Sequence, residues 1–310
     1  MKKVFVDGSA GTTGLRIFER LAERDDIELI KISDELRKDI RCRKEAIESA
    51  DAAFLCLPDD AAREIVAALE SDKVKILDTS TAHRTDSDWA YGFPELSADF
   101  RKKVTKSQKI AVPGCHASGF IAIVYPLVAA GILPTDYPIV CYSVTGYSGG
   151  GKKMIAEYEA ADRDAELGSP RQYGLTQNHK HLKEMKAVCG LSIAPVFAPI
   201  VADYYSGMVV SVPLHAQLLN GKPKAKDIHD ALSRHYSGKG VVSVMPFGKE
   251  GFLGSNNLSG NDGMQIEVSG NDERIMIAAR FDNLGKGSSG AAIQCMNLAL
   301  GCDETKGLDL

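Results

Sequence analysis

The sequence predicts an α/β protein in which a doubly wound parallel sheet is followed by an α+β domain with a mostly antiparallel sheet. Three observations predict it. The first half alternates short apolar runs with helical patterns, which is how βαβ units read. Its first apolar run leads directly into a glycine-rich loop and a helix, the start of a dinucleotide-binding sheet. The second half has several strands joined by Gly and Asn turns, with few helices between them. At 310 residues the chain is longer than a single core usually supports, so two domains are expected.

Taken in order, Lys2 to Asp7 is a short apolar strand that feeds Gly8-Ser9-Ala10-Gly11-Thr12-Thr13-Gly14 and then the helical pattern Leu15, Ile17, Phe18, Leu21. The glycines allow a tight turn and close approach of backbone to a pyrophosphate, and the helix N-terminus supplies N–H donors. Gly8, Ala10, Gly11, Thr12, Thr13 and Gly14 are therefore cofactor-binding candidates. The spacing is G-x-x-G-x-x-G, and a plain strand-to-helix turn reads the same way; its place after the first strand favours the cofactor. Further strands are expected at Ile27 to Ser33, Ala52 to Leu57 and Val74 to Thr79, with helices near Cys42 to Ala50 and Asp60 to Leu69.

At the end of the second strand, where such folds read the ribose, stands Ser33-Asp34-Glu35-Leu36-Arg37-Lys38. It offers an acid for a 2′-hydroxyl as well as hydroxyl and basic groups, Ser33 and Arg37, for a 2′-phosphate. NAD and NADP stay open on these residues. The third strand ends in Cys56-Leu57-Pro58-Asp59, which places Leu57 and Pro58 along a cofactor and Cys56 in the core. From Ser80 to Gln108 the pattern loosens into a long connection. It holds His83 and Arg84, where an anion could sit or a surface pair could cap the strand end, and Trp89, which is expected to pack.

Lys109 to Val112 forms another short strand, Pro113 and Gly114 turn it, and Cys115 opens a long apolar helix from His116 to Ala130. A thiol at a helix N-terminus is favoured as the thiolate, the nucleophilic form. A packed structural cysteine is the competing reading. Next come strand Ile139 to Thr145 and the run Gly146-Tyr147-Ser148-Gly149-Gly150-Gly151-Lys152-Lys153 ahead of a helix, Met154 to Asp164. Ser148, Gly149 and Lys152 are candidates for an anionic group of a substrate.

His179, His181 and Glu184 follow in NHKHLKEM. His181 and Glu184 are three residues apart and share a helix face, so the acid can orient an imidazole that acts as general acid or base. No further His or Cys stands at a recognisable metal spacing, so no metal is expected. His116, His215, His229 and His235 are read as structural. Strands are expected at Met208 to Pro213, Val241 to Met245, Met264 to Val268 and Arg274 to Phe281. Gly260 to Gly263 and Ser269 to Asp272 read as hairpin turns. Asn283 to Gly290 then leads into a final helix, Ala291 to Leu300, expected to return to the first domain. The expected division is 1–114 for the dinucleotide, 115–285 for the substrate, and 286–310 as the returning helix.

Bulk composition narrows the function classes. Hydrophobic residues make up 44%, charged residues 25%, and the net charge is -4, so no basic excess exists to neutralise a nucleic-acid backbone. The N-terminus lacks the apolar core of a signal peptide, and no stretch is long enough to span a bilayer. Seven cysteines without a C-x-x-C pair suit a reducing cytoplasm.

Six stretches in this order resemble one family, the short form of N-acetyl-gamma-glutamyl-phosphate reductase: VDGSAGTTGL, DTSTAHR with YGFPEL, VPGCHASG, VTGYSGGGK, NHKHLKEM and NLGKGSSGAAIQCMNLALG. Longer members usually carry asparagine before the Pro-Gly-Cys turn and tyrosine after the cysteine, where this chain has Val112 and His116. The resemblance implies a Rossmann-type domain with a substrate and dimerisation domain, and reduction of N-acetyl-glutamyl phosphate to the semialdehyde with NADP(H) in arginine biosynthesis. It implies Cys115 as the acyl carrier, His179 or His181 as proton relay with Glu184, Asn283 and Lys286 at the cofactor, and Arg84 and Glu95 at the substrate. A homo-oligomer, dimer or tetramer, is also implied. Related reductases of aspartyl phosphate or of the aminoadipyl branch are the alternative.

Overall fold

The computed structural model describes every residue except Asp34, so the acid considered for a ribose hydroxyl lies outside the described residues. The chain folds as two compact units, Met1–Pro113 with Ser288–Leu308, and Gly114–Gly287 with Asp309–Leu310.

In the first unit the elements run β1 (Lys2–Asp7), α1 (Thr12–Ala22), β2 (Ile27–Ile30), α2 (Ile40–Glu48), β3 (Ala52–Leu55), α3 (Asp59–Ala68), β4 (Lys75–Asp78), β5 (Ala90–Tyr91), α4 (Ala98–Lys106) and β6 (Lys109–Ala111). The strands form one six-stranded sheet in the order β2-β1-β3-β4-β6-β5, with every pairing parallel. Alternation along the strands explains its two cores. Val4, Val6, Phe54 and Leu77 face one side, where Ile17, Leu21 and the C-terminal helix Gly290–Leu300 pack. Phe5, Ala53, Leu55 and Ile76 face the other, with Ile47, Ile65 and Trp89. A sheet buried on both faces needs such near-continuous apolar strands. Strand order reverses between β1 and β3, and the crevice beyond their carboxyl ends is where an open α/β sheet binds its ligand.

The stretch from Ser80 to Gln108, expected to be irregular, contains β5 and α4. Helix α4, ADFRKKVTK, buries only Val104, so it shows almost no apolar period. Its ends carry the signal instead: Ser97 Oγ accepts from the Phe100 N–H at 3.3 Å, Asp99 lies in the first turn, and Lys103 and Lys106 lie in the last.

The second unit contains α5 (Cys115–Ala129), β7 (Val140–Gly146), α6 (Gly151–Glu159), β8 (Arg171–Gln172), α7 (His181–Cys189), β9 (Val196–Ala202), β10 (Met208–His215), α8 (Ala225–Tyr236), β11 (Val242–Val244), β12 (Met264–Gly270) and β13 (Arg274–Phe281). Its seven-stranded sheet is ordered β11-β12-β13-β10-β7-β9-β8. Four pairings are antiparallel, while β7–β9 and β11–β12 are parallel, so the sheet is mixed. Helices α5 and α8 pack on one face. Helix α5 is buried nearly all round, as its uniformly apolar sequence requires.

Three elements here were not expected, the two-residue strand β8 among them. Strand β9 contains Pro199, which obscures its alternation of buried Phe197, Pro199 and Val201. Helix α8 buries Ala225, Ile228, Leu232 and Tyr236, a helix-spaced set. One turn is corrected: Ser269 to Asp272 closes the β12–β13 hairpin, but Gly260 to Gly263 precedes β12, whose neighbour β11 runs parallel to it and cannot share a hairpin. Asp262 is buried there and accepts from the Asp309 N–H at 2.9 Å. No helix among the described residues is long and apolar enough to cross a membrane.

Candidate active site

The nucleophile candidate sits where its sequence puts it. Cys115 is the first residue of α5, with Gly114, which has no side chain, as N-cap. None of the seven cysteines, all among the described residues, forms a disulfide. Glu184, buried on α7, accepts from the Gly114 N–H through Oε1 at 2.9 Å and so holds the turn that presents the thiol. The sequence paired this acid with His181; the contact seen for Oε1 is with the backbone ahead of Cys115.

Around the start of α5 three imidazoles converge. His179 and His181 ring centroids are 4.7 Å apart, and those of His116 lie 5.7 and 5.6 Å from them. Phe197 closes the cluster at 5.3 Å from His116 and 5.2 Å from His179. The His181 N–H donates to His179 Nδ1 at 3.2 Å, which leaves the His179 proton on Nε2. Burial, with the Lys180 charge beside it, pushes His179 below the usual imidazole range, so at neutral pH it can accept a proton.

His116, read from sequence as structural, has a partner at each ring nitrogen. Its Nδ1 lies 2.6 Å from Ser143 Oγ and its Nε2 lies 2.6 Å from the Tyr173 hydroxyl. Burial, followed by the nearby His179, lowers it to about 3, so it is neutral at physiological pH. The Tyr173 phenol is pushed up by burial and further by the charge of Cys115. Ser143, Tyr173 and His116 were all missed; the one local signal was a histidine next to the cysteine.

The glycine loop after β7 is braced from within its own unit. Ser148 is buried, and its hydroxyl accepts from Asn283 Nδ2 at 3.0 Å while Asn283 Oδ1 accepts from the Gly207 N–H at 2.8 Å. Asn283, expected at the cofactor, thus holds the loop. Gly149 and Lys152 are exposed beside it, and Lys286 is buried. Arg84 and Glu95 belong to the first unit. Arg84 donates from Nε to the Val112 carbonyl at 2.9 Å and from Nη2 to the Thr79 carbonyl at 2.8 Å, and Glu95 accepts from Gln294 at 2.7 Å.

The cofactor candidates gather around a cavity of about 720 Å³ at the carboxyl ends of β1 and β3. Gly8, Ala10, Gly11, Arg37, Leu57 and Pro58 line it; Thr12, Thr13 and Gly14 form the adjoining first turn of α1. Ser33 is not in the lining; its carbonyl accepts from the Leu36 N–H at 3.0 Å and turns the chain towards Arg37. Lys31, Lys38 and Arg43 add positive charge to the wall. Arg43 had gone unnoticed, although buried Asp7 needs a cation: Arg43 Nε and Nη2 bind Asp7 Oδ2 at 2.9 and 2.8 Å. His83 pairs with Asp78 at 2.6 Å and stacks on Trp89 at 4.1 Å, so both pack, as expected for Trp89. An open glycine loop, apolar walls and a basic rim fit the adenosine and phosphates of a nicotinamide dinucleotide.

Comparison with known proteins agrees with this arrangement. Residues 3–104 match the family described as semialdehyde dehydrogenase, NAD binding domain, and residues 115–283 match semialdehyde dehydrogenase, dimerisation domain. N-acetyl-gamma-glutamyl-phosphate reductase 2 of Nostoc sp. is 46% identical, covering 99% of each chain. The N-acetyl-gamma-glutamyl-phosphate reductase of Brucella ovis is 44% identical over 96% of this chain and 99% of its own. Among solved structures, aspartate semialdehyde dehydrogenase II of Vibrio cholerae superposes with a TM-score of 0.72 at 15% identity, covering 97% of this chain and 98% of its own, which shows the shared fold. A sheet with a switch-point cavity, a cysteine opening a buried helix, and identity of this extent over the whole chain together place the chain in the N-acetyl-gamma-glutamyl-phosphate reductase family of semialdehyde dehydrogenases.

Proposed function

We propose that this enzyme reduces N-acetyl-glutamyl 5-phosphate to N-acetyl-glutamate 5-semialdehyde with NADPH, through a thioester on Cys115, and so serves arginine biosynthesis. The observation that carries the reading is Cys115 as the first residue of α5, backed by an imidazole cluster, in a chain 46% identical to a reductase of that name. Cys115 Sγ attacks the acyl carbon, the S–C bond forms, and phosphate leaves with the C–O pair. First-turn N–H groups of α5 are the donors for the transient oxyanion. His179 or His181 accepts the thiol proton and protonates the product side. Glu184 fixes the turn, and Ser148, Gly149 and Lys152, with Arg84 and Glu95, are assigned to the substrate's phosphate and carboxylate. Gly8 to Gly14, Arg37, Leu57 and Pro58 would hold the dinucleotide, which when bound would supply the hydride that brings the thioester to the aldehyde level. Lys31, Arg37 and Lys38 support the choice of NADP, because a 2′-phosphate needs cations where a 2′-hydroxyl needs an acid.

The test is a substrate panel run in the oxidative direction with phosphate and NADP. N-acetyl-glutamate semialdehyde should be oxidised with a kcat/KM at least about tenfold above aspartate semialdehyde and the aminoadipate semialdehyde, the discrimination that 1.4 kcal/mol of differential transition-state binding provides. Preference for either competitor would reassign the substrate.

Self-association through the second unit belongs to the same reading. With helices on one face of the mixed sheet, the other face leaves Tyr142 47%, Val196 57% and Met276 40% exposed, next to Val144, Ala198, Ile200 and Pro213. A contiguous apolar sheet face of this kind calls for a partner, and the matched dimerisation domain makes a second copy the occupant. Light scattering of Tyr142→Lys/Met276→Lys should give the monomer mass at concentrations where the parent chain is oligomeric. An unchanged mass would move the interface elsewhere.

A further inference from the structure

The cluster beside Cys115 contains a hydrogen-bond chain, Ser143–His116–Tyr173, whose proton positions follow from its partners. Ser143 Oγ is fully buried on β7, and His116 Nδ1, at 2.6 Å, is the acceptor for its proton among the described residues. Were the His116 proton on Nδ1, the Ser143 hydroxyl hydrogen would be buried without an acceptor, at a cost of about 1–3 kcal/mol. The satisfied arrangement therefore has Ser143 O–H donating to Nδ1, with the single proton of the neutral ring on Nε2. Nε2–H then donates to the phenol oxygen of Tyr173 at 2.6 Å. That occupies a lone pair of the phenol and leaves its O–H directed away from His116. The phenol is partly buried, stays protonated at neutral pH because burial and the Cys115 charge push it up, and sits on the ring of His116, the residue that follows Cys115.

We propose that Tyr173 is a fixed hydrogen-bond donor to the oxyanion formed on the carbon bound to Cys115 Sγ, and that Ser143 and His116 are the positioning residues that aim its proton. This rests on the reading of Cys115 as the acyl carrier. When Sγ adds to the acyl carbon, the carbonyl π pair moves onto oxygen; the phenol donates a hydrogen bond to that oxygen and keeps its proton. The pair returns to re-form C=O as phosphate leaves with the electrons of its C–O bond. A donor whose own oxygen already accepts from Nε2–H is polarised and binds the oxyanion more strongly. His116 serves through Tyr173 and does not itself touch the reacting atoms.

Two independent measurements test this. Nitrogen-15 spectra of the full chain labelled at histidine, with His116 assigned by its loss in His116→Gln, should show Nδ1 bare and Nε2 protonated at neutral pH. A protonated Nδ1 overturns the proposal. Kinetically, Tyr173→Phe should lower kcat about 100–1,000-fold with little change in KM, as loss of an oxyanion donor does. His116→Gln, whose carboxamide can accept from Ser143 and donate to Tyr173, should stay within about threefold of the parent, whereas His116→Met should lose as much as Tyr173→Phe and nothing more in the Tyr173→Phe background. A further multiplicative loss in that double variant would show that His116 does not act through Tyr173. Because His116→Met alters a buried site, Ser143→Ala gives a second reading: it should leave His116 populating both tautomers, and a ring still wholly protonated on Nε2 overturns the part given to Ser143. Mass spectrometry of Cys115 after addition of the acyl phosphate separates the two levels. Acylation in the parent with full activity in Tyr173→Phe overturns the donor alone; no acylation in the parent overturns the reading beneath it.

Discussion

Cys115→Ser is expected to lose phosphate-dependent semialdehyde oxidation by about a thousandfold or more, because a serine hydroxyl at the same helix N-terminus is scarcely ionised where a thiol is readily so. The loss should fall on kcat. The change is nearly isosteric and lies at the start of α5 in the second unit, while the dinucleotide cavity is built within the first, so NADP affinity measured by fluorescence should be unchanged. The acyl-enzyme mass increment seen in the parent should vanish with the activity. Retention of even a tenth of the turnover would remove Cys115 from the chemistry and leave the imidazole cluster without the nucleophile it is built around.

Gly8→Ala should cost the dinucleotide. Gly8 turns the chain from β1 towards α1 with φ +83°, a region that alanine enters only under strain, and a Cβ there would run into the Cys56 carbonyl of the neighbouring strand end. Strain alone is about 1–3 kcal/mol. Relief requires the loop to lift away from Cys56, and the loop N–H groups then leave the positions that meet the pyrophosphate. The KM for NADP should rise at least about tenfold, since each 1.4 kcal/mol is one decade. Cys115 in the same variant should still be alkylated by iodoacetamide at the parent rate. An unaltered NADP KM would show that the cofactor lies elsewhere than the cavity between β1 and β3.

What the sequence by itself determined is what local backbone rules determine. A strand feeding a glycine loop and a helix requires a turn such as the one at Gly8, whatever else the chain does, and a Pro-Gly turn before an apolar run sets Cys115 at a helix N-terminus. Parallel order in the first sheet follows from the same alternation, since consecutive parallel strands need helical crossovers. Where the apolar period was weak, as in α4, or interrupted by proline, as in β9, the element was missed because the hydrophobic pattern is the main local signal and end caps are a minor one.

Only the tertiary structure decided which side chains meet. His116 reaches Ser143 across 27 residues and Tyr173 across 57, partners that no local spacing brings together. A one-residue change of register in β7 would send Ser143 to the open face in exchange for Tyr142 and leave His116 a buried polar ring with one partner fewer. Arg43 likewise meets Asp7 across 36 residues, from a helix whose own sequence gives no sign of a buried acid opposite. A histidine next to the nucleophile reads as filler in one dimension. In three it is the joint between buried Ser143 and Tyr173.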